Sequence, residues 1–385
     1  MEKFWQLLKK GKEKNFLVLD IGTEAIKRMT FQKNNLGQFE ILEKSLEYLD
    51  QYGVFNTQDF EKEIFKKAIL KSLGDWKEKN NFSYIVSLPP NVLIARIVSQ
   101  DFKREDKEKI IDKREEKVIL QSLAEKSKEK VVKEWTEKSG ILEKEIEVLN
   151  LNILGIRIDG YSVPQLQGYK GKQIEVKVLV SFLIKEYFKK FEKIFQEIGL
   201  KEKKIVHLAE GLNSYFKKIP DALFVDFGGE MTQFFSTKNN CLEMVGEMNL
   251  GGRFFSQVLS EKLGIKIEEA RLLKERYSRG DFSPETIQRL KEIFDLPLRF
   301  WFEDLKKRLK KNISGNFLFQ KIFVFGGSAQ LPEIRKILKE GNWESFFLSK
   351  KPEVEVFFPE ELQKINDGNA LQYVNCFLLL SASQK

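Results

Sequence analysis

The sequence predicts an α/β protein of two related lobes, with a small strand–helix–strand–strand unit inserted in the first. Three observations predict it. A buried-strand run, Phe16-Leu17-Val18-Leu19-Asp20, enters a glycine turn, and a second run ends in the same way at Asp226-Phe227-Gly228-Gly229. Strand and helix patterns alternate through most of the 385 residues, a length that suits two to three domains. Between residues 92 and 184 the texture changes to one strand, one long charged helix and two strands.

In chain order, residues 1–14 form a basic amphipathic stretch without the long apolar core and small-residue cleavage site of a secretory signal. Strands follow over Phe16–Asp20, Ile26–Gln32 and Phe39–Leu46, then a helix from Thr57 to Lys79 with apolar residues at helical spacing, then a strand from Tyr84 stopped by Pro89-Pro90. The insert reads as strand Val92–Gln100, helix Arg104–Ser139 and strands Ile146–Asp159 and Gln173–Leu183. Alternation resumes with helix Lys185–Gly199, strand Lys204–Leu208, helix Glu210–Lys218 and strand Ala222–Phe227. A hairpin turns at Asn239-Asn240, where two residues tolerant of a left-handed backbone adjoin. Helix then runs over Arg253–Lys311 with a break near Gly280–Pro284, ahead of strand Lys321–Phe325 and an αβα tail. This divides the chain into a first lobe of 15–91 and 185–220, the insert of 92–184 and a second lobe of 221–385.

Composition excludes several classes. Hydrophobic residues make up 42% and charged residues 32%, as in a globular chain, and the longest apolar run, Cys376–Leu380, is far short of the roughly 18 residues of a membrane span. Two distant cysteines, Cys241 and Cys376, give neither a disulfide framework nor metal-ligand spacing and read as reduced core residues of a cytosolic protein. A lone histidine, His207, follows two apolar residues and reads as structural. The net charge of +9 arises from lysines interleaved with glutamates, as over Lys103–Lys144, which is a solvated helical face; no nucleic-acid partner is expected.

Backbone recognition of phosphate needs N–H groups that converge without a Cβ in the way. Asp20-Ile21-Gly22-Thr23 supplies one such turn and Asp226-Phe227-Gly228-Gly229 a second, each with a carboxylate at the strand end that can hold hydrated Mg²⁺ through water. Lys27 can reach a phosphate as a point charge. A third turn, Gly326-Gly327-Ser328, lies between a strand and a helix beginning at Pro332, whose N-terminus favours an anion or a close-lying nucleotide. Any one of these turns is commonplace; three in this order point to a nucleotide.

The order and spacing resemble the actin-like ATPase superfamily and, within it, the family of the bacterial cell-division protein FtsA and the pilus-assembly protein PilM. The resemblance covers residues 16 to 380 and implies a two-lobed actin-like (ribonuclease H-like) ATPase fold with an inserted strand-helix-strand-strand (SHS2) domain. It implies ATP and Mg²⁺ as cofactors. Asp20, Gly22, Thr23 and Lys27 become the first phosphate motif, Asp226, Gly228, Gly229 and Thr232 the second, and Gly326, Gly327 and Ser328 the adenosine motif. Gly251 and Gly252, in Asn249-Leu250-Gly251-Gly252, and the helix from Glu268 to Lys274 match nucleotide-side elements of that family. Glu210 stands where relatives carry a catalytic or connecting glutamate; an acid stabilised by a helix N-terminus is the other reading.

Three departures separate binding from turnover. Gly228-Gly229-Glu230-Met231-Thr232-Gln233 lacks a second acid, as in PilM; Arg271 replaces a common glutamate; and Asn375-Cys376-Phe377 replaces small residues. The Gly/Pro-punctuated loop Ile158–Gly171 resembles the division protein, and on that ground the resemblance leans to an FtsA-type scaffold, with PilM-type pilus assembly or a nucleotide-independent interaction protein as alternatives. A small-molecule kinase would need a base beside the γ-phosphate, for which the sequence offers no dedicated residue. The resemblance implies protein partners at the insert, possible self-assembly, and a site at the inner face of the cell membrane. Attachment there is expected to be indirect: the chain ends after Phe377–Leu380 without a C-terminal amphipathic helix, and Phe4, Trp5 and Leu8 among lysines give at most a weak N-terminal anchor.

Overall fold

Apolar runs become the inner strands of two sheets, and the glycines between them become the turns at the strand ends. A computed structural model describes residues 14–35, 37–49, 61–74, 82–200, 202–215, 221–312, 321–343, 351–359 and 370–382, with Phe346 and Leu362. All of the N-terminal basic stretch but Lys14, with its membrane-anchor reading, lies outside the described residues. The first lobe opens with β1 (Lys14–Ile21), β2 (Ala25–Lys33), β3 (Phe39–Tyr48), α1 (Lys62–Leu73) and β4 (Phe82–Ser87). The insert follows as β5 (Leu93–Lys103), α2 (Lys113–Ser139), β6 (Ile146–Ile158), β7 (Tyr161–Val163) and β8 (Gln173–Ile184). Then come α3 (Lys185–Glu197), β9 (Lys204–Ile205) and α4 (Leu208–Tyr215). The second lobe comprises β10 (Ala222–Phe227), β11 (Thr232–Lys238), β12 (Cys241–Met248), α5 (Gly252–Leu263), α6 (Ile267–Arg279), α7 (Pro284–Asn312), β13 (Lys321–Phe325), α8 (Pro332–Glu340), β14 (Glu353–Val356) and α9 (Val374–Ser381).

The two lobe sheets have one topology. Their strand orders are β3-β2-β1-β4-β9 and β12-β11-β10-β13-β14. In each, the first three strands form an antiparallel meander and the last two run parallel to the central strand. The duplication expected from the two Asp-Gly turns is therefore one of whole sheets. It places Asp20 and Asp226 at equivalent ends of the two central strands.

The insert is a separate antiparallel sheet of order β5-β8-β6-β7. α2 covers one face with Ile119, Leu123 and Val131. The other face sends Ala95 and Leu179 into a core shared with both lobes, among Val18, Met29, Leu208 and Phe224. α9 joins that core and packs against α4 and β1, so the chain end returns to the first lobe.

Several boundaries differ from the sequence reading. α2 starts at Lys113 rather than Arg104, because the Asp112 carboxylate accepts from the amides of Arg114 and Glu115 and sets the N-cap there. Arg104 itself is buried and donates to the carbonyls of Gly171 and Lys109 while pairing with Glu115. The loop after Ile158 contains the extra strand β7, turned by Asp159 (φ 49°) and Gly160 (φ 87°). Hairpin chemistry thus accounts for that glycine. The break expected near Gly280–Pro284 is present, and a further one at Gly264 makes the region three helices, with both glycines in left-handed C-caps.

Candidate functional site

The glycine turns are two copies of one structure. Gly22 N donates to Ala25 O at 3.0 Å and Gly228 N to Met231 O at 3.1 Å. A Cβ at either glycine would come within 2.9 Å and 2.8 Å, respectively, of that same carbonyl. The turns face one another across the lobe interface. Thr23 Oγ1 accepts from Glu230 N at 3.0 Å, and a Cβ on Gly229 would lie 2.7 Å from the Glu24 side chain. Below them is a cavity of 60 Å³ whose polar walls include Asp20, Lys27, Asp226, Gln233 and Asn375.

Charge in this cavity is unevenly compensated. Lys27 Nζ meets Asp20 Oδ2 at 2.7 Å; burial works against its ammonium, but Asp20 outweighs burial and the pKa is raised. Asp226 is 5% exposed and accepts from Asn375 Nδ2 at 3.0 Å through Oδ2 alone; Oδ1 has no partner among the described residues. Burial pushes its carboxyl up to about 7. His207, deeply buried and near Arg96, is held down at about 3 and is neutral. Ala209 N donates to its Nδ1 at 3.0 Å, which leaves the ring proton on Nε2. The structural reading of this histidine holds.

The remaining second-lobe residues support the turn from behind. Gly252 N donates to Gly228 O and Arg253 N to Gly229 O, both at 2.9 Å. A Cβ on Gly251 would lie 2.3 Å from Gly229 O, and one on Gly252 would lie 2.0 Å from Ser328 Oγ. Lys274, fully enclosed and lowered in pKa by burial, donates to Gly252 O at 2.6 Å. Gly326 (φ 89°) passes so close to the site that a Cβ would fall 2.3 Å from Asp226 Oδ1. Thr232 is the exception to the expected phosphate role: its hydroxyl donates to Leu250 O at 2.6 Å and accepts from Trp301 Nε1 at 3.1 Å. It braces the hairpin inside the core.

Glu210 does not stand over the cavity. Its carboxylate accepts from Asn150 (3.3 Å), Asn152 (3.2 Å), Ser181 (2.9 Å) and His207 N (3.2 Å), and so ties the inter-lobe helix α4 to strands β6 and β8. The three side-chain donors lie 29 and more residues away in the insert, and no local motif marks them. The catalytic reading of Glu210 gives way to an anchoring one. Between the lobes, the Arg271 guanidinium stacks on the Tyr48 ring at 4.0 Å, Gln372 Nε2 donates to Tyr48 Oη at 3.4 Å, and Gly327 adjoins Gln372. Sequence reasoning singled out Arg271 but found no partner for it, because Tyr48 lies on the other lobe.

No family model and no curated protein sequence matches the chain. Solved structures do. The PilM-PilN type IV pilus biogenesis complex superposes with a TM-score of 0.61 at 15% identity, over 96% of this chain and 97% of that one. The chain has the actin-like ATPase fold. The ethanolamine utilization protein EutJ from Carboxydothermus hydrogenoformans (TM-score 0.48, 13% identity, 96% and 89% covered) and MreB5 of Spiroplasma citri bound to ADP (TM-score 0.47, 11% identity, 96% and 95% covered) also align.

Whether this actin-like cleft suits a Mg-nucleotide is answered differently at its two ends. The floor fits a phosphate with a hydrated cation: glycine turns from both lobes, the Lys27 ammonium, and a buried carboxylate oxygen without a partner converge there. Among the described residues no group of three or more His, Cys, Asp or Glu forms a metal cage, and the carboxylates that line the cavity are Asp20 and Asp226. Elsewhere between the lobes, the Arg271–Tyr48 stack and the Gln372–Tyr48 hydrogen bond are direct contacts that must break if the lobes part to admit base and ribose.

Proposed function

We propose that the protein is an ATP-binding scaffold whose two lobes close on Mg-ATP and whose insert recruits protein partners at the inner face of the cell membrane. The observation that carries this reading is the convergence of two equivalent Asp-Gly turns, with the unpartnered Asp226 oxygen, on one cavity. Lys27 neutralises phosphate charge, Asp20 and Asp226 orient the water shell of Mg²⁺, and the turns donate backbone N–H groups. Bound ATP supplies the charge that draws the lobes together. With Glu210 held by the insert, the carboxylate that the resemblance offered for orienting a water on the γ-phosphate is otherwise engaged, which supports a reading in which hydrolysis is weak or absent.

Within this reading we favour the pilus-assembly role over the division role. The second turn lacks a further acid, the superposition with the PilM-PilN complex supports it, and the Asp159-Gly160 loop is accounted for as a hairpin. Among the described residues no helix is long and apolar enough to cross a membrane, and attachment through a partner suits the scaffold role. The direct Arg271–Tyr48 contact between the lobes favours a second reading, an interaction protein of this fold that works without nucleotide.

Calorimetric titration of the full chain with Mg-ATP separates the two. Saturable binding that is weakened in both Asp20→Ala and Asp226→Ala supports the first; a folded protein with no heat of binding leaves the second. Capture of pilus against division components by the immobilised full chain then tests the assembly assigned.

A further inference from the structure

The junction of the insert with the second lobe carries a second feature with a ligand's chemistry built in. Two adjoining cavities of 300 and 480 Å³ lie where the insert meets the second lobe. One wall is β5, at residues 96–99, under Lys130, Trp135 and Lys138 of α2; the other is β12, at Glu243 to Val245, with Lys311 and Asn312 at the end of α7. β5 and β12 are each the outermost strand of their sheets, so each has one edge of backbone N–H and C=O groups without a strand partner among the described residues.

Most carboxylates of the cleft are already answered. Glu243 pairs with Lys177 at 2.5 Å, Glu175 with Arg157 at 3.6 Å, and Glu247 behind them with Arg96; Glu134 alone has no ion pair. Lys130 and Lys311 are exposed and form no ion pair with a described carboxylate. Lys138 lies 5.5 Å over the Trp135 ring, its charge disfavoured by burial and then by Arg96, with Lys311 and Arg308 adding to the effect. The cleft therefore has an excess of positive charge on both walls, over an apolar floor of Ile97, Met244 and Val245.

We propose that this cleft binds an extended, acidic segment of a partner protein, laid along the β5 edge with its carboxylates toward Lys130, Lys138 and Lys311 and its apolar side chains toward Ile97 and Met244. Backbone pairing at a free edge supplies affinity and alternate side chains supply selectivity. The apolar floor of Ile97, Met244 and Val245 takes alternate apolar side chains, which a phosphate backbone does not offer, and the position between insert and second lobe suits a segment of chain rather than a flat membrane. The proposal deepens the scaffold reading by giving the chemistry of a partner, but its test uses no nucleotide.

The test is fluorescence anisotropy of a labelled peptide of alternating Glu and Val titrated with the full chain. The expected result is saturable binding that weakens with added salt and falls about tenfold or more in the Lys130→Glu/Lys311→Glu double variant, with slowed amide exchange over residues 93–103. Charge reversal at Lys291 and Lys336, in a distant groove of the second lobe, is expected to leave binding unchanged. Circular dichroism of both variants matching the parent shows that folding is intact. No binding by the parent, equal binding by the double variant, or equally tight competition by a single-stranded oligonucleotide overturns the proposal. Failure of the Mg-ATP titration leaves it standing.

Discussion

Replacing Asp226 by Asn isolates what the buried carboxylate does to the fold. Its carboxyl is moved from 3.8 to about 7, first by burial, so ionising it in the folded chain costs about 4 kcal/mol more than in the unfolded one. Between these two values the folded chain holds a proton that the unfolded chain has released. Stability therefore falls as pH rises through that window and levels off above about 7. Asp226→Asn cannot ionise, and its amide oxygen can still accept from Asn375. The variant is expected to be more stable than the parent by up to about 4 kcal/mol at about pH 8 and about 2 kcal/mol at about pH 5, with little difference below about pH 4. Urea unfolding of the nucleotide-free chain at the three pH values measures this. The same buried acid makes Mg-ATP affinity rise with pH through about 7, because the cation favours the ionised form. An Asn variant no more stable at pH 8, or a gain of equal size at pH 5 and pH 8, would refute the assignment of Asp226 as a buried acid with an orphaned oxygen.

Other perturbations follow from the same contacts. Arg271→Ala removes the guanidinium stacked on Tyr48 and is expected to tighten Mg-ATP binding about three- to tenfold, the worth of a partly buried cation–π contact; calorimetry showing weaker binding would mean that Arg271 serves the nucleotide instead. Glu210→Ala leaves the buried donors of Asn150, Asn152 and Ser181 without their acceptor and should cost about 2–4 kcal/mol in denaturant unfolding; unchanged stability with lost ATP turnover would restore a catalytic role. Gly326→Ala forces a Cβ against Asp226 at a left-handed position and should cost about 2–4 kcal/mol, read by thermal unfolding. Deletion of residues 92–184 should abolish the cooperative unfolding transition, because the insert contributes Ala95 and Leu179 to the core that both lobes share; a deletion variant that unfolds cooperatively and binds Mg-ATP would show the insert to be independent.

The sequence by itself determined the features that depend on short stretches of chain. The strand at Phe16–Asp20 and the one ending at Phe227 are legible because an apolar run followed by glycine restricts the local backbone. Asn239 and Asn240, both at positive φ, turn the hairpin as their types require. The alternation of strand and helix, together with three ordered glycine turns, was enough for the fold class. Tertiary structure alone decided which side chains those turns would face. Asn375 reaches Asp226 across 149 residues, and Asn150 reaches Glu210 across 60. Thr232 was drawn into the core by Leu250 and Trp301. The start of α2 was misjudged because both Asp106 and Asp112 form local caps, and the tertiary bonds of Arg104 hold the intervening residues out of the helix. A carboxylate's role depends on its burial and on the donors around it, and these are fixed only when distant strands close on it.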